Sequence, residues 1–221
     1  MNIEQARFNM IEQQIRPWEV LDQSVLDLLG VVHREGFVPP AYRALAFVDM
    51  QVPLREHGAH GQCMLEPKVE ARLLQELQLR RSDKVLEVGA GSGHMAALLA
   101  HQARHVHTLE IVPELAALAR DNLRRAAVRN VTVHEGDGAR GLAGEAPFDA
   151  IVLSGSVAEV PQTLLDQLSV GGRLVGIVGE EPMMRAVLVR RVGERDFAHV
   201  ELFDTVAPRL LGFDERPRFR F

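Results

Sequence analysis

The fold is decided by Val85-Leu86-Glu87-Val88-Gly89-Ala90-Gly91-Ser92-Gly93-His94. This stretch predicts a short buried strand, a glycine turn and a helix that begins next to Met95. The start of a helix presents free backbone N–H groups to a ligand, and glycines let the ligand approach the backbone closely. The stretch therefore predicts a ligand site at the turn.

The glycine spacing indicates which ligand binds there. A dinucleotide fingerprint needs a third glycine at position 94, where this chain has His94. The observed G-x-G-x-G instead resembles the first motif of class I S-adenosylmethionine (SAM) methyltransferases. That resemblance implies SAM as the cofactor, with its methionine part against the loop. The predicted cofactor-binding residues of the loop are Gly89, Ala90, Gly91, Ser92 and Gly93.

Two acids follow the loop at the ends of predicted strands. Glu110 ends the second strand, 19 residues after Gly91, close to the roughly 20-residue offset of an acid that binds ribose hydroxyls. Asp137 and Gly138 follow the third strand, where methyltransferases of this class hold the adenine. A single strand-end acid is often solvated and an Asp-Gly pair is often a turn. Their joint occurrence favours Glu110 as the ribose ligand, with Asp137 and Gly138 at the adenine.

The alternation of elements predicts the architecture. Strands and helices alternate from Val85 to about Val178, which predicts an α/β fold with a doubly wound, mostly parallel, Rossmann-like sheet. Residues 184–192 and 199–203 are typical of a closing antiparallel pair. We expect residues 1–80 to form a helical cap with an acceptor-side loop. Residues 81–221 would then form the SAM-binding domain, packed with the cap as one unit.

Several shorter segments have their own predictions. The apolar spacing favours one helix over residues 3–15, stopped near Pro17, and a second helix through Val25 and Val32. Residues 51–62 contain Pro53, Gly58 and Gly61 and are predicted to be a loop. Residues 148–153 and 173–178 are predicted strands, with a helix through Leu164 and Leu168 between them. The alternating Arg and apolar residues of 215–221 indicate an edge strand or a tail.

Composition restricts the classes of partner. The chain has 221 residues, 47% of them hydrophobic and 25% charged, with a net charge of −5. We therefore expect no nucleic-acid partner, because a broad basic surface is lacking. No apolar run approaches the roughly 20 residues that span a bilayer, so no membrane partner is expected. The oligomeric state has no sequence signal.

Cysteine and histidine usage restricts the compartment and the metal chemistry. Cys63 is the one cysteine, which excludes an intrachain disulfide and agrees with a reducing cytoplasm. The N-terminus lacks the charged-then-apolar pattern of a signal peptide. A cytoplasmic location is therefore predicted. No pair among the nine histidines has zinc spacing, and no metal is expected.

Several motifs in order resemble the protein-L-isoaspartate O-methyltransferase family. They cover about residues 1–180 and are Phe37-Val38-Pro39, Gly61-Gln62 with Pro67, the glycine loop, Gly136-Asp137-Gly138, Pro147-Phe148-Asp149, Val160-Pro161 and Gly171-Gly172-Arg173. The resemblance implies methyl transfer from SAM to a carboxylate of a damaged, isoaspartyl residue, with a protein or peptide as the acceptor. A carboxylate is ionised at pH 7 and needs no general base, so no catalytic residue is predicted.

The chain departs from this family on the acceptor side. Where the family has Thr-Ile-Ser, this chain has Cys63-Met64-Leu65. The resemblance implies that the family's serine hydroxyl helps to position the acceptor carboxylate, which the Leu65 side chain cannot do. Glu66 is adjacent and would repel a carboxylate. The acceptor side is predicted to consist of Cys63, Met64, Leu65 and Ser154.

Two other functions are compatible with this departure. The chain could be a SAM-dependent methyltransferase with another acceptor, a small molecule or RNA. It could also bind SAM without turnover, with Cys63-Met64-Leu65 as an apolar docking surface. Burial of these three residues in the core is the competing explanation for their apolar character.

Overall fold

A central β-sheet organises the fold. The computed structural model of the chain describes residues 2–55 and 61–214. Seven strands form the sheet in the order β5-β4-β3-β6-β7-β8-β9. Their bounds are β3 Lys84–Val88, β4 His105–Glu110, β5 Val131–Glu135, β6 Phe148–Val157, β7 Leu168–Glu180, β8 Met183–Arg191 and β9 Phe197–Asp204. A separate antiparallel pair consists of β1 Val52–Pro53 and β2 Cys63–Met64.

The direction of the strands confirms the predicted fold. Neighbouring strands from β5 to β7 are parallel, whereas β8 and β9 are antiparallel. The sheet grows outward from β3 in both directions, because β4 and β6 lie on either side of it. In an open parallel sheet, ligands bind at the carboxyl ends of the strands where the order reverses. The glycine loop follows β3 and lies at that point.

Within the described ranges 2–55 and 61–214, six α-helices accompany the sheet. Their bounds are α1 Ile3–Met10, α2 Gln23–Val31, α3 Pro67–Leu77, α4 His94–Gln102, α5 Pro113–Arg125 and α6 Gln162–Leu165. One apolar core joins residues of α1 to α5 to the sheet, and a second core packs α6 and Phe148 against the opposite face. Apolar burial of this extent dominates the stability of the fold.

The N-terminal helix is shorter than predicted. The α-helical hydrogen bonds end with α1 at Met10, a wide π-helical turn follows at Ile11–Ile15, and a tight turn occupies Arg16–Trp18. Pro17 lacks an N–H and cannot donate to a carbonyl of the preceding turn, so the α-helical bonding does not continue through this segment. The apolar spacing predicts a shared face of Phe8, Ile11 and Ile15; Ile11 and Ile15 are buried, whereas Phe8 is 59% exposed.

Other boundaries differ from the sequence expectation. The predicted loop at 51–62 contains β1, and its residues 56–60 lie outside the described part of the chain. The helix through Leu164 ends at Leu165, because Leu168 already pairs with Phe148 in the sheet. β6 and β7 extend well beyond the predicted 148–153 and 173–178. The closing antiparallel pair is confirmed as β8 and β9.

The segment after β9 returns to the carboxyl edge of the sheet. Arg209 forms an isolated parallel bridge with Ser156, and the Ser156 N–H donates to the carbonyl of Pro208 at 2.8 Å. Residues 208–211 consequently lie over the ends of β3 and β6. The predicted edge strand or tail at 215–221 lies outside the described residues.

Across residues 2–55 and 61–214, none of the helices has the length and apolar character needed to cross a membrane. In the same part of the chain, no group of three or more His, Cys, Asp or Glu side chains is arranged to hold a metal ion.

Candidate cofactor and acceptor cleft

A cleft lies at the carboxyl ends of β3, β4 and β6, where the sheet order predicts a ligand. It encloses about 640 Å³ of space, a figure that includes the part open to solvent. The turns after β3 and β4 form one side of it. Residues 61–65 and 208–211 form the other side. We call these the cofactor half and the acceptor half of the cleft.

Backbone hydrogen bonds fix the glycine loop in the cofactor half. The N–H of Gly89 donates to the carbonyl of Leu109 in β4 at 2.8 Å. Gly89 has φ +94°, and a Cβ atom there would lie 2.8 Å from Cδ2 of Leu210. A side chain would therefore strain the backbone and collide with the opposite half. Gly89 and Gly91, both predicted to bind the cofactor, line the cleft.

Glu110 reaches the cleft with both carboxylate oxygens held. One oxygen accepts from the N–H of Gly91 at 2.8 Å and the other from the N–H of Val112 at 3.0 Å. The residue is 5% exposed. A carboxylate can accept about four hydrogen bonds, so two further positions are available to a ligand. The geometry is that of a rigid acceptor for two adjacent hydroxyl groups.

The predicted adenine pair is divided between two environments. Gly138 is buried and lines the cleft. Asp137 is exposed, and its Oδ1 accepts from the N–H of Ala139 at 2.9 Å, which caps the short turn after it. A Cβ atom added at Gly212 would collide with the same oxygen. The structure thus places Gly138 on the cleft wall and the Asp137 side chain beside the C-terminal segment.

The end of the glycine loop contacts protein rather than the cleft. Gly93 has φ +82°, and a Cβ atom there would lie 3.2 Å from the carbonyl oxygen of Ala119 in α5. Gly93 therefore permits the close packing of α4 on α5. Ala90 and Ser92 are buried and line a small inner cavity behind the loop. The carbonyl of Ser92 accepts from the side chain of Asn122 at 2.8 Å.

The acceptor half is apolar where a hydroxyl was expected from the family. Leu65 lines the cleft and is 4% exposed, and Met64 is 3% exposed. The docking-surface interpretation of Cys63-Met64-Leu65 is therefore wrong, because two of the three side chains belong to the core. Cys63 is half-buried and also lines the cleft.

The thiol of Cys63 is held in its neutral form. Burial, with the nearby Glu66 and Glu70, raises the pKa of Cys63 to about 12. Its Sγ donates to Oε1 of Gln51 at 3.6 Å. A thiol with this pKa is a poor nucleophile at pH 7, so Cys63 acts as part of a wall.

Glu87 is a functional candidate that the sequence analysis quoted without assigning a role. It is completely buried and accepts hydrogen bonds from Ser154 Oγ at 2.8 Å and Thr108 Oγ1 at 2.7 Å. Burial raises the pKa of Glu87 to about 8, although these two hydrogen bonds lower it. Ser154 also lines the cleft. The sequence signal for Glu87 was a carboxyl side chain within an otherwise apolar strand.

A second missed feature is a buried cluster of Arg34, Glu70 and His94. Arg34 forms an ion pair with Glu70, and His94 Nδ1 lies 3.0 Å from Oε2 of the same carboxylate. Burial opposes ionisation of Glu70, but the charges of Arg34 and His94 outweigh it and hold its pKa below the usual value. No sequence pattern connects three residues from three separate segments.

Comparison with known proteins gives consistent matches. The family model for protein-L-isoaspartate (D-aspartate) O-methyltransferase matches residues 5–205. A protein-L-isoaspartate O-methyltransferase from Rhodopseudomonas palustris is 41% identical over 204 residues, 92% of each chain. One from Gloeobacter violaceus is 41% identical over 186 residues, 83% of this chain and 89% of the relative. The fold also matches the Plasmodium falciparum protein solved with S-adenosyl-L-homocysteine, with a TM-score of 0.78 at 20% identity, covering 95% of this chain and 98% of that one.

Proposed function

The chain belongs to the protein-L-isoaspartate O-methyltransferase family, and from this premise we propose that its cleft transfers a methyl group from SAM to the free carboxylate of an isoaspartyl residue in a protein. Membership makes the chain a SAM-dependent methyltransferase. The observation that supports the site most directly is the buried Glu110 carboxylate, held by two backbone N–H groups at the end of β4.

The cofactor half fits a nucleoside with a methionine side chain. Gly89 and Gly91 leave room beside the backbone, and the ribose hydroxyls match the two remaining acceptor positions of Glu110. Ile111, Val112 and Leu115 supply apolar contacts on the same side, as expected for a flat base. Gly138 would lie against the adenine, with Asp137 beside it. We retain Ala90, Ser92 and Gly93 as support for the loop rather than as contacts.

The protein's contribution to the reaction is alignment. SAM, when bound, supplies a methyl group already activated on a sulfonium. The cofactor half fixes the direction of that group through the loop and Glu110. The acceptor half, Cys63 and Leu65 with Ser154, would hold the attacking carboxylate oxygen in line. That carboxylate is ionised at pH 7, so the side chains of the cleft have no proton to remove.

The electrostatics of the acceptor half agree with a carboxylate acceptor. Glu66 was expected to repel such a group, but its Oε1 accepts from Gln51 Nε2 at 3.3 Å, and the residue is not part of the cleft lining. Glu87 accepts from Ser154 at the cleft wall, and with a pKa of about 8 it is mostly neutral at pH 7. Neither carboxyl therefore places a full negative charge in the cleft.

The position of the Leu65 side chain favours a different acceptor. Its side chain lines the cleft where the family's hydroxyl is missing, and an apolar wall suits a small apolar molecule as well as a peptide. This second candidate keeps the same cofactor half and the same chemistry. Only the group that receives the methyl would differ.

One assay separates these functions. The chain is incubated with SAM labelled in its methyl group and with two peptides of one sequence, one isoaspartyl and one aspartyl. The proposal predicts base-labile label in the isoaspartyl peptide alone. Label in neither peptide, together with a labelled product in cell extract, would assign another acceptor. Glu110→Ala in parallel should lower the label in both experiments.

A further inference from the structure

Arg34, Glu70 and His94 form a buried cluster that the methyl transfer itself does not use. The residues are 3%, 6% and 2% exposed. They come from a short turn at Arg34–Gly36, from α3 and from the first position of α4. The cluster therefore joins the N-terminal cap, the helix after the acceptor half and the helix after the glycine loop.

One bond connects this cluster to the cleft. Nη2 of Arg34 donates to the carbonyl oxygen of Leu65 at 2.7 Å, while its Nη1 pairs with Glu70. Glu70 in turn accepts from His94 at Nδ1. The side chain of Leu65 lines the cleft. In the acceptor half, the backbone of Leu65 is thus bonded to a side chain that is 31 residues away in the sequence.

Stability alone is a weak reason for such a cluster. Removing two charges from water costs several kcal/mol per ion, and well-packed apolar residues often replace a buried ion pair without loss. An arginine, however, provides several donors in a fixed planar geometry. It can hold a carboxylate and a backbone carbonyl together, which an apolar side chain cannot do.

We propose that Arg34 and Glu70 are positioning residues that fix the carbonyl of Leu65, and with it the wall formed by Cys63 and Leu65, at the distance that methyl transfer requires. The ion pair orients the guanidinium, and the guanidinium orients the wall. This inference rests on the proposed function for its kinetic consequence but not for its structural one.

A neighbouring ion pair provides a matched control. Arg7 and Glu35 also form a part-buried pair, with side chains 10% and 14% exposed, and Glu35 directly follows Arg34. In the described residues, Glu35 also contacts His33, and Arg7 lies over the ring of Phe47. None of these residues lines the cleft. Glu35→Gln therefore perturbs a similar pair without touching the wall.

The test variant removes both charges at once. Arg34→Met with Glu70→Gln removes both members of the ion pair, and the new amide oxygen can still accept from His94, so the double variant should fold. Three quantities are measured on it, on wild type and on Glu35→Gln. They are the steady-state constants for the isoaspartyl peptide, the Kd for SAM, and the rate at which iodoacetamide alkylates Cys63, followed by mass spectrometry.

The proposal predicts a split between these quantities. The double variant should raise the KM for the peptide or lower kcat by about tenfold or more, since small displacements of aligned groups have large kinetic effects. Alkylation of Cys63 should accelerate by about fivefold or more, because a released wall exposes the thiol. The Kd for SAM should stay within about twofold, since backbone bonds to β4 hold the loop. Glu35→Gln should change only the melting temperature.

Two results would overturn the inference. One is a double variant whose kinetics and alkylation rate match those of Glu35→Gln. The other is a loss of SAM affinity as large as the loss of peptide turnover. If wild type itself does not methylate the peptide, the proposed function fails, and the alkylation rate alone then decides whether Arg34 and Glu70 position the wall.

Discussion

The two halves of the cleft are held in different ways. In the cofactor half, the important bonds are made by the backbone, such as the donation of the Gly89 N–H to the Leu109 carbonyl. In the acceptor half, backbone bonds hold residues 208–211 on β6, but the wall at Leu65 also depends on side chains from distant segments. Arg34 donates to the carbonyl of Leu65, and beside this wall Gln51 donates to Glu66 and to the carbonyl of Val206.

The departure that the family resemblance implies falls in one of these two halves. A backbone bond between neighbouring strands tolerates many side chains, provided that the glycines remain. A wall that depends on individual side chains is displaced when one of those side chains is replaced. The departures at Cys63-Met64-Leu65 lie in the half held by side chains. The glycine loop lies in the other half and keeps the family pattern.

The largest effect is expected from returning the missing hydroxyl to the acceptor half. Leu65→Ser removes a buried side chain from the core, so we expect the free energy of unfolding to fall by about 2–5 kcal/mol. The hydroxyl can donate to the acceptor carboxylate, so the KM for an isoaspartyl peptide should fall as well. Urea denaturation and peptide kinetics measure the two changes.

A matched control for this change is Leu211→Ser. Leu211 also lines the cleft, but it is 53% exposed, and its replacement should alter the free energy of unfolding by less than about 0.5 kcal/mol. Equal stability losses in the two variants would contradict the placement of Leu65 in the core.

The next effect tests the half held by backbone bonds. Glu110→Ala should weaken SAM binding by about tenfold to hundredfold, because hydrogen bonds to a charged group are lost. Isothermal titration calorimetry gives the Kd. Glu114→Ala is the control, since that side chain is 74% exposed and pairs with Arg55. A Kd that changes equally in both variants would remove Glu110 from the cofactor site.

Glu87 should make the free energy of unfolding depend on pH. Burial raises its pKa from 4.5 to about 8, so the native state keeps a proton that the unfolded chain releases. The stabilisation is complete below pH 4.5 and is lost progressively as the pH rises to about 8. Glu87→Gln remains neutral and should lack this decline. Chemical denaturation at several pH values measures it, and parallel slopes for the two proteins would show that Glu87 ionises normally.

The smallest effect is expected at β4 and β5, in the opposite pH direction. Burial, with His105 beside it, lowers the pKa of His107 from 6.5 to about 4. The unfolded chain therefore binds the proton first, and stability is lost as the pH falls from 6.5 towards 4. His107→Gln should reduce this loss, whereas the exposed His101→Gln should retain it. Thermal melts across this range decide between them.

The backbone-held half could be predicted from the sequence because its signals are local. The strand, the glycines and Glu110 occur within 26 residues of one another, from Val85 to Glu110, and the rule for parallel sheets places them at one edge. The role of a residue with two possible uses is harder to assign from the sequence. Gly93 and Asp137 match ligand positions in the sequence, and in the structure the first also packs against α5 and the second also caps a turn.

The half held by side chains gave no comparable signal. Arg34, Glu70 and Leu65 approach one another only through tertiary packing. The sequence does not distinguish a buried arginine from an exposed one. Glu87 and His94 lie inside the quoted motif, but their burial and partners depend on strands and helices elsewhere. Local periodicity does not encode such contacts. The family resemblance supplied the acceptor chemistry instead.

The central claim is that one cleft binds the SAM nucleoside on Glu110 and the isoaspartyl peptide on Cys63 and Leu65. A crystal structure with S-adenosylhomocysteine and an isoaspartyl peptide tests it most directly. We expect both ribose hydroxyls within hydrogen-bond distance of the Glu110 carboxylate, and the peptide carboxylate between the sulfur and Leu65. A nucleoside bound away from Glu110, or a cleft closed by Leu54 and Leu210 over the glycine loop, would contradict the account.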